Sequence, residues 1–273
     1  MDIIKRNFLL TLRSGAFNES VHFFPMSIYK WRRLLEMASR QDVMTLCIHG
    51  IRNQQYDAES RLPQKILQII SSPQADAGDV HLLSADEIGQ NHLSGSLRDK
   101  IDEIKEEELH SIDTSTETLS MLYIIVGVAT IILASDAFIY ALVEMGKYLR
   151  TKGHLVDFVK LEGWLGELHL DGMANLEAAL LMAAFDFSAD ELPFAKKQVD
   201  GAEKIIDQSL ESVCSSGEDT WHFKEVGVGV YTGNTTAMRH KLGRSIRYAK
   251  YAPITVLRDL GATIVKSLKE IEE

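Results

Sequence analysis

Met121-Leu-Tyr-Ile-Ile-Val-Gly-Val-Ala-Thr-Ile-Ile-Leu-Ala-Ser135 runs fifteen residues without a charge, and how it is read decides the fold. A transmembrane helix needs about twenty such residues. Asp136 and Glu144 interrupt the continuation, and no Lys or Arg flanks the start. The run therefore reads as the buried central helix of a bundle, and no membrane span is expected. An anchor over residues 119–143 is the lesser reading. Immediately upstream, Asp113-Thr-Ser-Thr-Glu-Thr118 supplies hydroxyls and carboxylates that accept hydrogen bonds from a first helical turn.

Helical spacing continues on both sides. Downstream, three or four helices are separated by Ala134-Ser-Asp136, Thr151-Lys-Gly153 and Leu170-Asp-Gly172, with Pro193 closing the block. Gly153 after Arg150 and Lys152 reads as a helix stop. Further helices are expected over 199–213 and, from Ile254, Leu257, Leu260, Ile264, Val265, Leu268 and Ile271, at the C-terminal end. Upstream, Phe8, Leu9 and Leu12 begin an amphipathic helix ending near Ser14-Gly15. Ser27 caps a second helix carrying Ile28, Trp31, Leu34, Leu35 and Ala38. Residues 42–50 fit a short helix or a strand, and Pro63 opens another helix. Residues 73–96 are small and polar, typical of loops, and 99–108 form a charged helix. A short strand or bulge fits 226–231.

The expected fold is all-α, a multi-helix globular bundle with at most one or two short strands. It divides into an N-terminal helical region, 1–112, with a loose segment near 73–96, and a C-terminal helical domain, 113–273; one continuous domain is the alternative.

Composition narrows the function classes. Hydrophobic residues at 45 % and charged residues at 25 % are those of a globular protein. Lys+Arg 29 against Asp+Glu 39 leaves a net charge of −10, which repels nucleic acid except at a local basic patch. There is accordingly no strong nucleic-acid signal. The two cysteines, Cys47 and Cys214, make neither a metal spacing nor a disulfide framework, and a reducing cytoplasm is expected.

Motifs for catalysis are mostly missing. Gly146-Lys147 lacks the partners of a phosphate-binding loop, and Gly227-Val-Gly229 is followed by Gly233, one residue off dinucleotide spacing. Metal-dependent nucleotidyl transfer needs paired carboxylates that hold divalent ions between attacking and leaving oxygens. Gly95-Ser96 is followed by Asp99, Asp102 and Glu103, but Asp102 and Glu103 are adjacent and diverge by about 100° on a helix. No catalytic or metal-binding residue is assigned. Only under an alternative reading, an active nucleotidyltransferase using Mg²⁺ and a nucleoside triphosphate, would Asp99, Asp102 and Glu103 bind the ion. One locally basic segment stands out: Arg239, Lys241, Arg244, Arg247 and Lys250 form a candidate phosphate-binding stripe, with Tyr248 and Tyr251 nearby.

Gly146-Lys-Tyr-Leu-Arg-Thr-Lys-Gly153 and Val156-Asp-Phe-Val-Lys-Leu-Glu162 resemble the helical half of an uncharacterised bacterial nucleotidyltransferase-like family. The resemblance extends to Arg13-Ser-Gly-Ala-Phe17, Pro25-Met-Ser-Ile-Tyr-Lys-Trp31 and Ser245-Ile-Arg-Tyr248. It implies the family's helical scaffold. It also implies a departure, because the chain passes from the loose segment straight into the helices where the family carries its catalytic sheet. The resulting expectation is a short branch without the sheet: a non-catalytic scaffold with no cofactor, whose partner is another protein or a second copy of the chain.

Overall fold

The computed structural model describes residues 1–55, 62–71, 95–215, 248 and 250–253. Among them are ten α-helices and no strand: α1 (Ile3–Phe17), α2 (Ile28–Arg40), α3 (Met44–Asn53), α4 (Gln64–Ile70), α5 (Gly95–Leu109), α6 (Thr116–Ala134), α7 (Ile139–Lys152), α8 (Phe158–Glu167), α9 (Asp171–Phe185) and α10 (Ala202–Ser215). Two single 3₁₀ turns, Gly153–Leu155 and Ala189–Glu191, follow α7 and α9. The fold is all-α. The strand or bulge expected at 226–231 and the C-terminal helix expected at 254–271 lie outside the described residues.

The charge-free run is the inner part of α6, which is longer than the run itself because Ser115, not a residue nearer Leu119, caps it: its hydroxyl accepts from the Thr118 backbone N–H. The nineteen-residue helix is long and apolar enough to cross a membrane, yet 78 % of its most apolar window is buried inside the protein. Helices α7, α8 and α9 wrap it. Apolarity on all sides therefore belongs here to a helix surrounded by other helices.

The N-terminal helices are built on a contact between backbones. α1 does not stop at Ser14-Gly15 but continues to Phe17, with Asn18 left-handed at its end (φ 55°). Gly15 lies inside the helix because α3 crosses there. A Cβ on Gly15 would sit 1.9 Å from the Leu46 carbonyl oxygen, and one on Gly50 would sit 1.9 Å from that of Thr11. Hydrogen bonds lock the crossing: Asn53 Nδ2 donates to the Ser14 carbonyl at 3.0 Å, and Gln54 Nε2 to the Ser14 hydroxyl at 3.3 Å. Of residues 42–50, ambiguous by pattern, those from Met44 onward are helical because Cys47, Ile48 and Ile51 complete this packing, while Asp42 turns with φ 55° and Val43 caps the helix. The fully buried Cys47 thiol has its pKa pushed up to about 12 by burial.

Polar links tie the distant parts of the chain to one continuous core. Lys5, 7 % exposed in its side chain, donates from Nζ to Asp207 Oδ1 (2.9 Å) and Glu211 Oε1 (2.8 Å) on α10. Burial opposes its charge, but these partners hold its pKa above the ordinary value. Gln41, fully buried, donates to the Ser209 hydroxyl of α10 and accepts from the Ile139 N–H, which no side-chain cap serves at the start of α7. Gly153 is not the left-handed stop that its position suggests; its φ of −55° is right-handed, and it opens the 3₁₀ turn instead.

Candidate functional site

Residues from the ends of three helices meet around Arg150 of α7. Its guanidinium carbon lies 4.7 Å from the Phe17 ring centroid and 4.1 Å from that of Phe187. It donates to Glu19 Oε1 at 2.6 Å and Glu191 Oε1 at 2.9 Å, while Glu19 Oε2 accepts from Arg13 at 2.6 Å. One turn earlier, Gly146 leaves room for both rings, since a Cβ there would be 3.0 Å from Phe17 Cζ and from Phe187 Cζ. Arg150 thus donates from Nε and Nη1 to two different carboxylates and stacks on two rings, so the cluster is a clasp between the ends of α1, α7 and α9. Arg150→Lys, which keeps the charge but loses the planar fork and the ring stacking, is expected to cost about 1–2 kcal/mol. Urea denaturation measures it, and a variant as stable as the parent would show the clasp to be idle.

The carboxylates that would bind an ion only under the alternative reading lie on the solvated side of α5. Asp99, Asp102 and Glu103 are exposed, and Asp102 pairs only loosely with Arg98 at 3.6 Å. Among the described residues no group of three His, Cys, Asp or Glu side chains is placed to share an ion. Of the expected phosphate-binding stripe, Arg239, Lys241, Arg244 and Arg247 lie outside the described residues. Lys250 is exposed, with its ammonium 4.6 Å from the ring of the adjacent Tyr251. Tyr248 and Tyr251 do not flank a surface: they are buried, their ring centroids 6.2 Å apart, and the Tyr251 carbonyl rests against Gly172 at the start of α9.

Two features escaped sequence reasoning. The first is Glu177, in the middle of α9. It is fully buried, and among the described residues neither carboxylate oxygen has a hydrogen-bond partner. Burial alone raises its pKa well above the ordinary carboxylate value. The signal was the single acid within Met173-Ala-Asn-Leu-Glu-Ala-Ala-Leu-Leu-Met-Ala-Ala-Phe185.

The second is the outer face of α2. The helix carries Lys30, Arg32, Arg33 and Arg40 against one acid, Glu36, in a chain of net charge −10. Trp31, Leu34, Leu35, Met37 and Ala38 anchor the inner face in the core. Outside, Tyr29 is 69 % exposed, and Lys30, Arg32 and Arg40 are exposed too. Arg33 bonds Glu36 of the same helix at 2.9 Å. Among the described residues, neither the Lys30 ammonium nor the Arg32 guanidinium has a partner. Beside the start of α2, Arg6 lies 5.9 Å from the centroid of the 44 % exposed Phe24 ring. The face is thus basic and aromatic, and rigid because its reverse side is core. Its signal was the cluster Tyr29-Lys-Trp-Arg-Arg33, in which only Trp31 follows the apolar spacing.

No family model, no curated protein and no solved structure matches this chain. What the fold itself establishes is the class, an all-α helical protein.

Proposed function

We propose that the protein is a non-catalytic helical scaffold, built like the helical half of the nucleotidyltransferase-like family, that works in the cytoplasm by binding another protein. The observation that carries this reading is the outer face of α2, where among the described residues Lys30 and Arg32 stand without partners beside the exposed Tyr29. Arginine and tyrosine are enriched at protein interfaces because each offers a large contact area and strong donors. The backbone beneath them is already fixed by the core side of α2, so ordering on binding is confined to the side chains.

Thermal unfolding with ATP, GTP, CTP and UTP, each at millimolar concentration with Mg²⁺, separates this from nucleotidyl transfer. A ligand bound only by the folded state at a hundred times its Kd adds about 2.7 kcal/mol of stability. No shift is expected with any of the four. A shift that requires both the metal and one nucleotide, and that disappears in the Asp102→Ala/Glu103→Ala variant, overturns the scaffold reading.

A further inference from the structure

The charge of α2 has a counterpart elsewhere in the same chain. α5 carries Asp99, Asp102, Glu103, Glu106, Glu107 and Glu108 against Arg98, Lys100 and Lys105. Glu108 is turned inward, where it accepts from Lys160 at 3.0 Å and from the Ser115 N–H at 2.6 Å. The other five acids are exposed. Among the described residues, the carboxylates of Asp99, Glu103, Glu106 and Glu107 pair with no cation.

Position makes the two helices complementary. At about 100° per residue, Asp99, Asp102, Glu103 and Glu106 fall within roughly 100° of the circumference of α5. Tyr29, Arg32, Arg33 and Glu36 occupy α2 at the same i, i+3, i+4, i+7 steps, and Arg40 continues that stripe. With about 1.5 Å of rise per residue, Tyr29 to Arg40 spans about 16 Å and Asp99 to Glu107 about 12 Å. Within one molecule Tyr29, Arg32 and Arg40 of the first stripe and all four acids of the second are exposed, Arg33 pairs with the half-buried Glu36, and Asp102 pairs with Arg98.

We infer that the basic face of α2 docks the acidic face of α5 of a second copy of this chain. This rests on the scaffold reading and names its partner. A second copy brings its own net charge of −10, so what favours the contact is the local meeting of the acidic stripe with the basic one. Charges farther away than the Debye length of about 8 Å at physiological salt are largely screened. Because the two faces differ, the contact closes as a twofold dimer when both pairs engage at once and otherwise grows as a chain.

Sedimentation velocity of the full chain over 1–100 µM, at 50 mM and 500 mM NaCl, tests this. Concentration-dependent association is expected at low salt, at least tenfold weaker at high salt. Arg32→Glu/Arg33→Glu and Asp102→Lys/Glu103→Lys should each be monomeric, with circular dichroism and melting unchanged. An equimolar mixture of the two should associate again, because reversed charges meet reversed charges. A chain monomeric at 100 µM and 50 mM NaCl overturns the inference, as does association that neither reversal weakens. Co-sedimentation with vesicles of 30 % phosphatidylserine in phosphatidylcholine, lost in Arg32→Glu/Arg33→Glu while the parent stays monomeric, also overturns it and assigns the face to a lipid surface. None of these results depends on nucleotide, so the scaffold reading stands or falls separately on the nucleotide melting series.

Discussion

Gly50→Ala should lower the unfolding free energy by about 3 kcal/mol, at the upper end of the range for forcing extra atoms into a packed interior. The added methyl would lie 1.9 Å from the Thr11 carbonyl oxygen, and the obstacle is helix backbone rather than a side chain that can swing away. Either α1 and α3 separate, or the crossing shifts and strains the Asn53 and Gln54 bonds to Ser14. Gly163→Ala provides the control. Gly163 is exposed within α8 with nothing within 4 Å of its Cβ position, so alanine there should stabilise by about 0.8 kcal/mol through helix propensity. Urea denaturation of the three proteins gives both values. Were Gly50→Ala within 0.5 kcal/mol of the parent, the backbone contact between α1 and α3 would be wrong.

Glu177→Met should act in the opposite direction and stabilise the protein at pH 7 by about 1–3 kcal/mol, the cost of keeping an unsatisfied polar group inside. Methionine has a similar length and needs no hydrogen-bond partner. The pH dependence follows from linkage. Burial raises the pKa of Glu177 in the folded protein, while in the unfolded chain the group titrates near the ordinary 4.5. Between these values the folded state holds a proton that the unfolded state has released. Stability of the parent therefore falls as pH rises through that window, and the part due to Glu177 is fully retained only below the unfolded value. Melting temperatures from pH 4 to 8 should show the gap between Glu177→Met and the parent widening with pH. A constant gap would mean that Glu177 is paired or solvated in the folded state.

Much of the helical layout was legible because apolar spacing and capping are local. Ser27, Ser115 and Asp157 each accept from the first turn of the helix they open. The readings that strayed depended on distant partners. Gly15 looked like a helix end and is a crossing point, because the reason for a glycine lies in α3. Residues 42–50 were undecided until the packing surface of α1 was known. Candidate sites were harder still. The run of acids on α5 was visible as composition and the cluster Tyr29–Arg33 went unread, because only the fold turns each outward and, among the described residues, leaves Lys30 and Arg32 unpaired. Glu177 could be seen as one acid in an apolar helix; that it has no partner among the described residues depends on the helices around it.

The clasp of Lys5 on Asp207 and Glu211 also has a meaning for how the chain is made. Its partners lie 202 and 206 residues further along. At a synthesis rate of about 5–20 residues per second, Lys5 emerges about 10–40 s before its carboxylates exist. Over that interval α1, capped by Asp2, can settle on α3, whose contacts are close in sequence, while the Lys5 ammonium lacks its two carboxylates from α10. The amino-terminal turn of α1 is thus held from outside only once α10 has been made, long after the rest of that helix can pack on α3.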